Sequence, residues 1–478
     1  VFFLLKYIFI YIFLSGSMSS GTLPLSTYHR AQALGEGTFG SVVAVYTNDG
    51  EEYALKLFLK DNNEERSGMD LGALREISIL RILRGDNGHS NIVPMVDVKG
   101  EFEEDEEDFG AGTGGCVAMA MPLFKSGTLA DALDKGILKA CPKRIKVIIA
   151  HEFLCAVAYL HDNGIIHRDI KTDNLCLQAN EDDGSFSPLL IDFSLAKLVD
   201  GIMYTAKNGS TSSPFSKQET EMTHTCEVGT VTYTAPEVVD CKPYGLASDM
   251  WSVGIILMEM LQNHTLEATK NKEGFKKIQE LKETLPDQPF ANLVRGLLTV
   301  HPDKRLTARQ ALESPLFRKF GLEPPPVKLI DIHNALPIEQ EHEEQDFIEN
   351  AKPNKSAGKK PKKDPILVKR MKLIRKLCNE LDCRHPMTAY AALVYSQQMY
   401  LQIDDLLDDL TESQTLLDCV VLASKFFETE LIDIQELEGT GSFKDWSLEE
   451  FYDNEGTIWM LMDHCLYPRG AMVVGEYE

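Results

Sequence analysis

No CxxC pair occurs among the ten cysteines, at 116, 141, 155, 176, 226, 241, 378, 383, 419 and 465. The ligand spacing of a structural zinc site is therefore missing. Ten cysteines in 478 residues are also too sparse for a disulfide scaffold, which points to a reducing compartment. Positive charge is scarce: 48 Lys and Arg stand against 73 Asp and Glu, so 48 − 73 gives −25. Nucleic acid and anionic membranes both need a basic field, and this balance argues against either as a partner. No internal repeat of fixed period is present. No apolar run reaches the roughly 20 residues of a spanning helix. The opening VFFLLKYIFIYIFL is short and broken by Lys6. It has no basic leader and no Ala-x-Ala-like site, so it does not read as a signal peptide. The expectation is that Met18, opening the hydrophilic MSSGT, is the true first residue; a membrane anchor is the alternative.

What is present is ordinary for a globular chain: 44% hydrophobic and 25% charged residues. At roughly 100–200 residues per domain, this length predicts two to four domains. Residues 1–27 are the hydrophobic leader and a short lead-in. Residues 28–320 alternate strand-like and helix-like patterns. Residues 321–368, from EPPPVK to GKKPKKDP, are too rich in Pro, Glu and Lys to bury a core and read as a linker. Residues 369–470 carry mostly helical patterns. EFEEDEED at 101–108 reads as a solvated loop, or as an acidic docking segment.

LGEGTFGSVV places Gly35, Gly37 and Gly40 in a GxGxxG pattern before Val42. Alone that pattern is weak, because dinucleotide-binding turns share it. Here β-branched residues, an NDG turn and a second strand-like run follow, which predicts a hairpin with glycines at its tip. Such a tip can press backbone N–H groups against phosphates. The second strand, YALK, carries Ala54 and Lys56. Glu76 lies twenty residues on, in the helix-like LREISIL, and could hold the Lys56 ammonium against a phosphate.

IIHRDIKTDNL supplies His167, Arg168, Asp169, Lys171 and Asn174, and LLIDFSLAK supplies Asp192, twenty-three residues after Asp169. Phosphoryl transfer needs oxygen ligands for Mg²⁺ and a carboxylate that takes a hydroxyl proton. Asp192 and Asn174 suit the metal, Asp169 suits the base, and Lys171 would stand beside the transferred group.

Taken with TAPE at 234–237, DMWSVG at 249–254 and HPDKR at 301–305, these segments resemble the eukaryotic-type protein kinase family over residues 28–320. The resemblance implies an α+β bilobal fold with a small β-rich N-lobe and a helical C-lobe. It also implies ATP and Mg²⁺ as cofactors and transfer of the γ-phosphate to protein substrates. By similarity, Lys56 and Glu76 form the ion pair, Met121 is the gatekeeper, and Pro122, Leu123 and Phe124 face adenine. Glu237 pairs with Arg305, and Asp249 anchors the catalytic loop. Lys171 and Thr230 are the family's marks for Ser/Thr substrates. One departure is Ser194, where the family has the glycine of its DFG segment.

Thr225 stands ten residues before Ala235, the offset of the activating threonine in cyclin-dependent kinases, with Thr223 as its neighbour. A phosphate there would recruit Arg168, Arg75 and Lys197. GALREISILRIL is similar to the regulatory helix of those kinases, which a cyclin rotates. Thr234 and the 54 residues between Asp249 and Asp303 differ from them.

VVLASKFFE at 420–428 resembles a cyclin-box signature, and a single all-α cyclin-like box is expected, with an unrelated helical domain as the alternative. Its kinase-contacting pair would be Lys425 and Glu455. A flexible 48-residue linker reaches about 35–40 Å, enough for the box to fold back on its own kinase at roughly millimolar effective concentration. A cyclin or kinase partner in trans is the rival. GKKPKK at 358–363 reads as a nuclear import signal or a solvated run, which leaves cytoplasm and nucleus as the expected locations. The competing overall reading is a weak or inactive kinase scaffold whose helical domain recruits partners.

Overall fold

The computed structural model describes residues 28–37, 40–58, 70–99, 117–180, 185–198, 231–242, 244–266, 272–330, 365–383, 386–402, 409–427, 437, 439–444, 446–462 and 466. The leader, the acidic run 101–108, Thr223, Thr225, Thr230 and the lysines of GKKPKK lie outside them.

The chain forms two units. The first, Val1–Leu59 with Val96–Leu123, holds a five-stranded antiparallel sheet. Its strands are β1 (Tyr28–Gly37), β2 (Gly40–Thr47), β3 (Glu52–Phe58), β4 (Asp97–Lys99) and β5 (Val117–Pro122), in the order β1-β2-β3-β5-β4. The predicted hairpin is β1–β2, with Gly37 opposite Gly40 at its end. Alternation sorts the side chains by face. Val43, Val45, Leu55, Leu57, Ala118 and Ala120 cluster with Tyr28 as the sheet's apolar core. Val42 opposes Lys56, and Ala54 opposes Met121, so these four share the other face.

The second unit, Lys60–Met95 with Phe124–Glu478, is mainly helical. It begins with α1 (Leu71–Ile82), whose N-cap Asp70 accepts the Ala73 amide at 2.9 Å. Then follow α2 (Leu129–Asp134), α3 (Ile137–Ala140) and the long α4 (Lys143–Asp162). Short strands β6 (Ile165–Ile166), β7 (Leu175–Ala179), β8 (Phe186–Leu190) and β9 (Lys197–Leu198) pair as β6–β9 and β7–β8. Helices α5 (Pro236–Val239), α6 (Leu246–Gln262), α7 (Lys272–Thr284), α8 (Pro289–Leu297), α9 (Ala308–Leu312) and α10 (Pro315–Lys319) complete this part. α4 and α6 are apolar almost all round and form its centre, with Phe153, Leu154, Trp251 and Ile255 fully buried.

The packed chain runs past residue 320 to Ile330. The Asn163 amide donates to Lys328 O at 3.0 Å and accepts Ile330 N at 2.7 Å. Lys328 Nζ donates to Gly88 O at 2.8 Å, and Arg309 donates to Pro325 O. Proline-rich backbone lacks donors for a ladder, so its carbonyls are met by side chains instead.

Four helices follow: α11 (Pro365–Glu380), α12 (Pro386–Gln402), α13 (Asp409–Phe427) and α14 (Leu448–Leu461). α13 is central to them, packing on α11, α12 and α14, and it also touches α1. Its Cys419–Ala423 stretch is completely buried. No described helix is long and apolar enough to cross a membrane. Among the described cysteines, Cys141, Cys155, Cys176, Cys378, Cys383 and Cys419 are outside any disulfide, whereas Cys241 is disulfide-bonded, a bond that the spacing of the cysteines does not reveal.

Candidate active site

In the first unit, Lys56 is 8% exposed, an unusual burial for an ammonium, and its Nζ lies 5.3 Å from the Phe58 ring. β-Strand register puts Val42, Ala54 and Met121 on its face of the sheet. Gly35 pairs with Val42, and an added Cβ at Gly35 would meet nothing within 4 Å. Gly37 and Gly40 close the hairpin, and Leu123 follows β5.

The second unit collects the other predicted groups. Glu76, buried in α1, accepts the Phe193 amide at 3.4 Å through Oε1. Phe124 opens this unit's second segment, ahead of α2. After β6 the chain makes a sharp loop in which Arg168 takes φ 68°, a left-handed conformation that costs a side-chain-bearing residue about 1–2 kcal/mol. Asp249 from α6 holds the loop there. Its Oδ2 accepts His167 N at 2.8 Å and its Oδ1 accepts Arg168 N at 2.9 Å. His161 Nε2 lies 3.0 Å from the same Oδ2. Burial alone would raise the Asp249 pKa, but the His161 hydrogen bond, the two histidines and the His167 amide together hold it below the usual range. Burial pushes the His167 pKa down despite three nearby aspartates.

That loop presents Asp169, 8% exposed. Lys171 Nζ donates to its Oδ2 at 2.7 Å, and Asn174 Nδ2 donates to the same oxygen at 3.0 Å and to Asp169 O at 2.9 Å. Ile191 N donates to Asn174 O at 3.0 Å, which brings Asp192 beside Asn174. An Asp carboxylate and an Asn carbonyl are hard oxygen donors, and two protein ligands are typical where substrate phosphates complete the shell of Mg²⁺. The pair therefore fits that ion. Asp192 also takes a positive φ, 63°, and Ser194 bonds its Oδ1 through both Oγ (2.7 Å) and N (3.3 Å).

Two of the predicted regulatory side chains come from adjoining backbone, since Ile166, two residues before Arg168, pairs with Lys197. Arg168 Nε donates to Leu195 O at 2.5 Å, and its Nη1 lies 3.5 Å from the Tyr244 hydroxyl. Arg75 is half-buried on α1. Lys197, expected beside a phosphate, is buried and donates to Phe427 O, the last carbonyl of α13, at 3.4 Å. A helix C-terminus attracts a cation through its unpaired carbonyls. Lys425 and Glu455 pair with each other at 2.7 Å, Glu455 being fully buried. Contact with α1 includes the Leu466 amide, which donates to Ser78 Oγ at 3.1 Å. Glu237 and Arg305 form a bidentate pair at 2.7 and 2.9 Å.

Sequence reasoning did not single out His161, nor the Tyr233 hydroxyl, which lies 2.7 Å from Thr172 Oγ1 and donates to Glu259 at 3.0 Å. Burial lifts the Glu259 pKa to about 7. The available signal was an acid inside the apolar run IILMEML, which must find a partner when buried.

Residues 28–317 match the protein kinase domain family. The chain is 29% identical over 333 residues to a probable cyclin-dependent kinase 9 of Schizosaccharomyces pombe, covering 62% of this chain and 53% of that protein. It is 30% identical over 299 residues to the calcium/calmodulin-dependent protein kinase cmkB of Emericella nidulans, covering 60% and 64%. It is 28% identical over 309 residues to CBL-interacting protein kinase 2 of Oryza sativa, covering 63% and 60%. The chain thus spans between about half and two thirds of the length of these curated relatives. The polar loop around Asp169, anchored by Asp249 and set beside Asp192, falls inside the matched span, and the chain belongs to the eukaryotic-type protein kinase family.

Proposed function

We propose that this chain is a protein serine/threonine kinase that transfers the γ-phosphate of ATP to Ser or Thr hydroxyls of proteins, and that its own C-terminal helices serve it as a single cyclin-like box. The observation that carries the first part is the Asp169 carboxylate, held at 2.7 Å by Lys171 and at 3.0 Å by Asn174 beside Asp192. Asp169 accepts the proton of the substrate hydroxyl as that oxygen bonds to the γ-phosphorus. The bond from the γ-phosphorus to the leaving oxygen breaks, and ADP departs. Lys171 balances the negative charge beside Asp169. Lys56 serves the α- and β-phosphates, and Glu76 is the acid that the resemblance assigns to it. Asp192 and Asn174 would hold Mg²⁺, which offsets phosphate charge when bound. Gly35, Gly37, Gly40, Val42, Ala54, Met121, Leu123 and Phe124 serve the nucleotide.

The second part is supported by three contacts on kinase elements: α13 on α1, Leu466 on Ser78, and Phe427 O on Lys197. The helix that carries Glu76 is thus held by a residue 388 positions later. A cation that grips α13 leaves the start of the activation segment dependent on that docking.

Phosphate incorporation by the full chain, by Asp169→Asn and by a truncation after residue 368 tests both parts. Loss of the base should cost about 10²–10⁴-fold. Truncation should cost at least about tenfold, and adding 369–478 as a separate chain should restore part of it. Equal incorporation by Asp169→Asn would defeat the kinase reading. An unchanged truncation would defeat only the regulatory one.

A further inference from the structure

We propose that Ser194 is a positioning residue that presets Asp192 for its metal before nucleotide arrives. Asp192 stands at φ 63°, where a side chain crowds its own backbone. Such a conformation persists only when its surroundings hold it. Ser194 supplies two donors to that end: its hydroxyl at 2.7 Å and its amide at 3.3 Å meet the same oxygen, Oδ1. The amide bond is long and would remain with any residue at 194. The hydroxyl bond is short, charge-assisted and specific to this side chain. Ser194 is 1% exposed, so its hydroxyl must find its partner inside the protein.

The neighbours are fixed as well. Phe193 is fully buried, its ring 4.9 Å from His167, and its amide is given to Glu76. The backbone on the Phe193 side of Ser194 therefore has little room to turn. The hydroxyl bond holds Oδ1 of the Asp192 carboxylate towards Ser194. A hydrogen bond to one oxygen does compete with a cation for the group's charge. A carboxylate has about four lone-pair sites, so one donor leaves most of them, and fixing the orientation outweighs the competition.

This inference rests on the reading of Asp192 as a metal ligand, and its test separates the two. The full chain, Ser194→Ala, Ser194→Gly and Asp192→Asn would be compared in two measurements. The first is amide hydrogen exchange across 193–198 without metal or nucleotide. The second is calorimetric binding of a non-hydrolysable ATP analogue with and without Mg²⁺. Both Ser194 variants should exchange faster at 193–195 and keep their metal-free nucleotide affinity. Both should need about tenfold more Mg²⁺ to reach the same gain in affinity. Kinase activity should recover as Mg²⁺ is raised. Ser194→Gly serves if the alanine variant does not fold, because glycine accepts any φ. If Asp192→Asn loses the Mg²⁺-dependent gain while both Ser194 variants match the full chain in exchange and Mg²⁺ requirement, Ser194 has no such role. If Asp192→Asn keeps the gain, the metal-ligand reading itself is wrong and this inference goes with it.

Discussion

Two fully buried aspartates, one beside the Asp169 loop and one in the C-terminal helices, do different work with the same chemistry. Asp249 is 1% exposed and takes two backbone amides and a histidine. Asp418, in α13, is 0% exposed and takes neutral side-chain donors: Trp446 Nε1 and Asn454 Nδ2, each at 2.8 Å, and Gln414 Nε2 at 3.1 Å. Asp249 fixes the backbone of a loop, including the strained Arg168, and so fixes where Asp169 points. Asp418 fixes how helices meet. The difference teaches that one buried acid shapes a site, while the other secures a fold on which that site's regulation would depend.

The largest effects are expected on removing each acid in turn. Asp249→Ala should cost about 3–5 kcal/mol of kinase stability and abolish activity, since buried donors lose a charged partner. Asp418→Ala should cost a similar 3–5 kcal/mol, confined to 409–466, and lower activity only through lost docking. Hydrogen exchange with activity assays would read both. If Asp418→Ala quenched activity while exchange in α13 and α14 stayed slow, the two acids would not differ as described.

A second contrast lies in pH. Burial lifts Glu259 from 4.5 to about 7, so the folded state binds the extra proton; its contribution is present below pH 4.5 and is lost as pH rises to about 7. Burial, and then Lys328, lower His89 from 6.5 to about 4, so its contribution is present above pH 6.5 and is lost as pH falls towards 4. Glu259→Gln should therefore gain about 2–3 kcal/mol on the full chain between pH 5 and 8. Urea midpoints across that range check this; a flat difference would show that Glu259 stays ionised.

The smallest expected effect is Ser78→Ala, which leaves the Leu466 amide without that acceptor. It should weaken docking of the C-terminal segment by about 1–2 kcal/mol and lower activity severalfold. Limited proteolysis after residue 427 would follow it. Unchanged cleavage would place the docking energy in α13 alone.

Much of the kinase region was legible because its chemistry demands fixed residue types at short spacings. Asp169, Lys171 and Asn174 lie within one loop, and Asp192 follows a strand pair that returns it to Asn174 O. The hairpin could be read from β-branched runs and glycines. The Glu237–Arg305 pair was legible only by resemblance, because its members lie 68 positions apart. Ser194 looked like a lost glycine, and its hydroxyl bond to Asp192 could not be read from the string. The contact of Lys197 with the end of α13 was not legible, because nothing local says which helix terminus will arrive beside it. The linker reading at 321 stopped short of the packed chain because proline-rich composition does not reveal that Asn163 and Arg309 wait for its carbonyls.

By itself the sequence determined the alternation that sorts the sheet into an apolar face and a face with Lys56. It also determined the loop that places an acid, a lysine and an amide together, because period and short-range spacing are properties of the chain alone. Only the tertiary structure decided which buried acids would have their pKa lifted or lowered, which cation would meet which carbonyl, and that a serine would steady Asp192. Those outcomes depend on desolvation and on partners brought from far along the chain, and neither is written in local order.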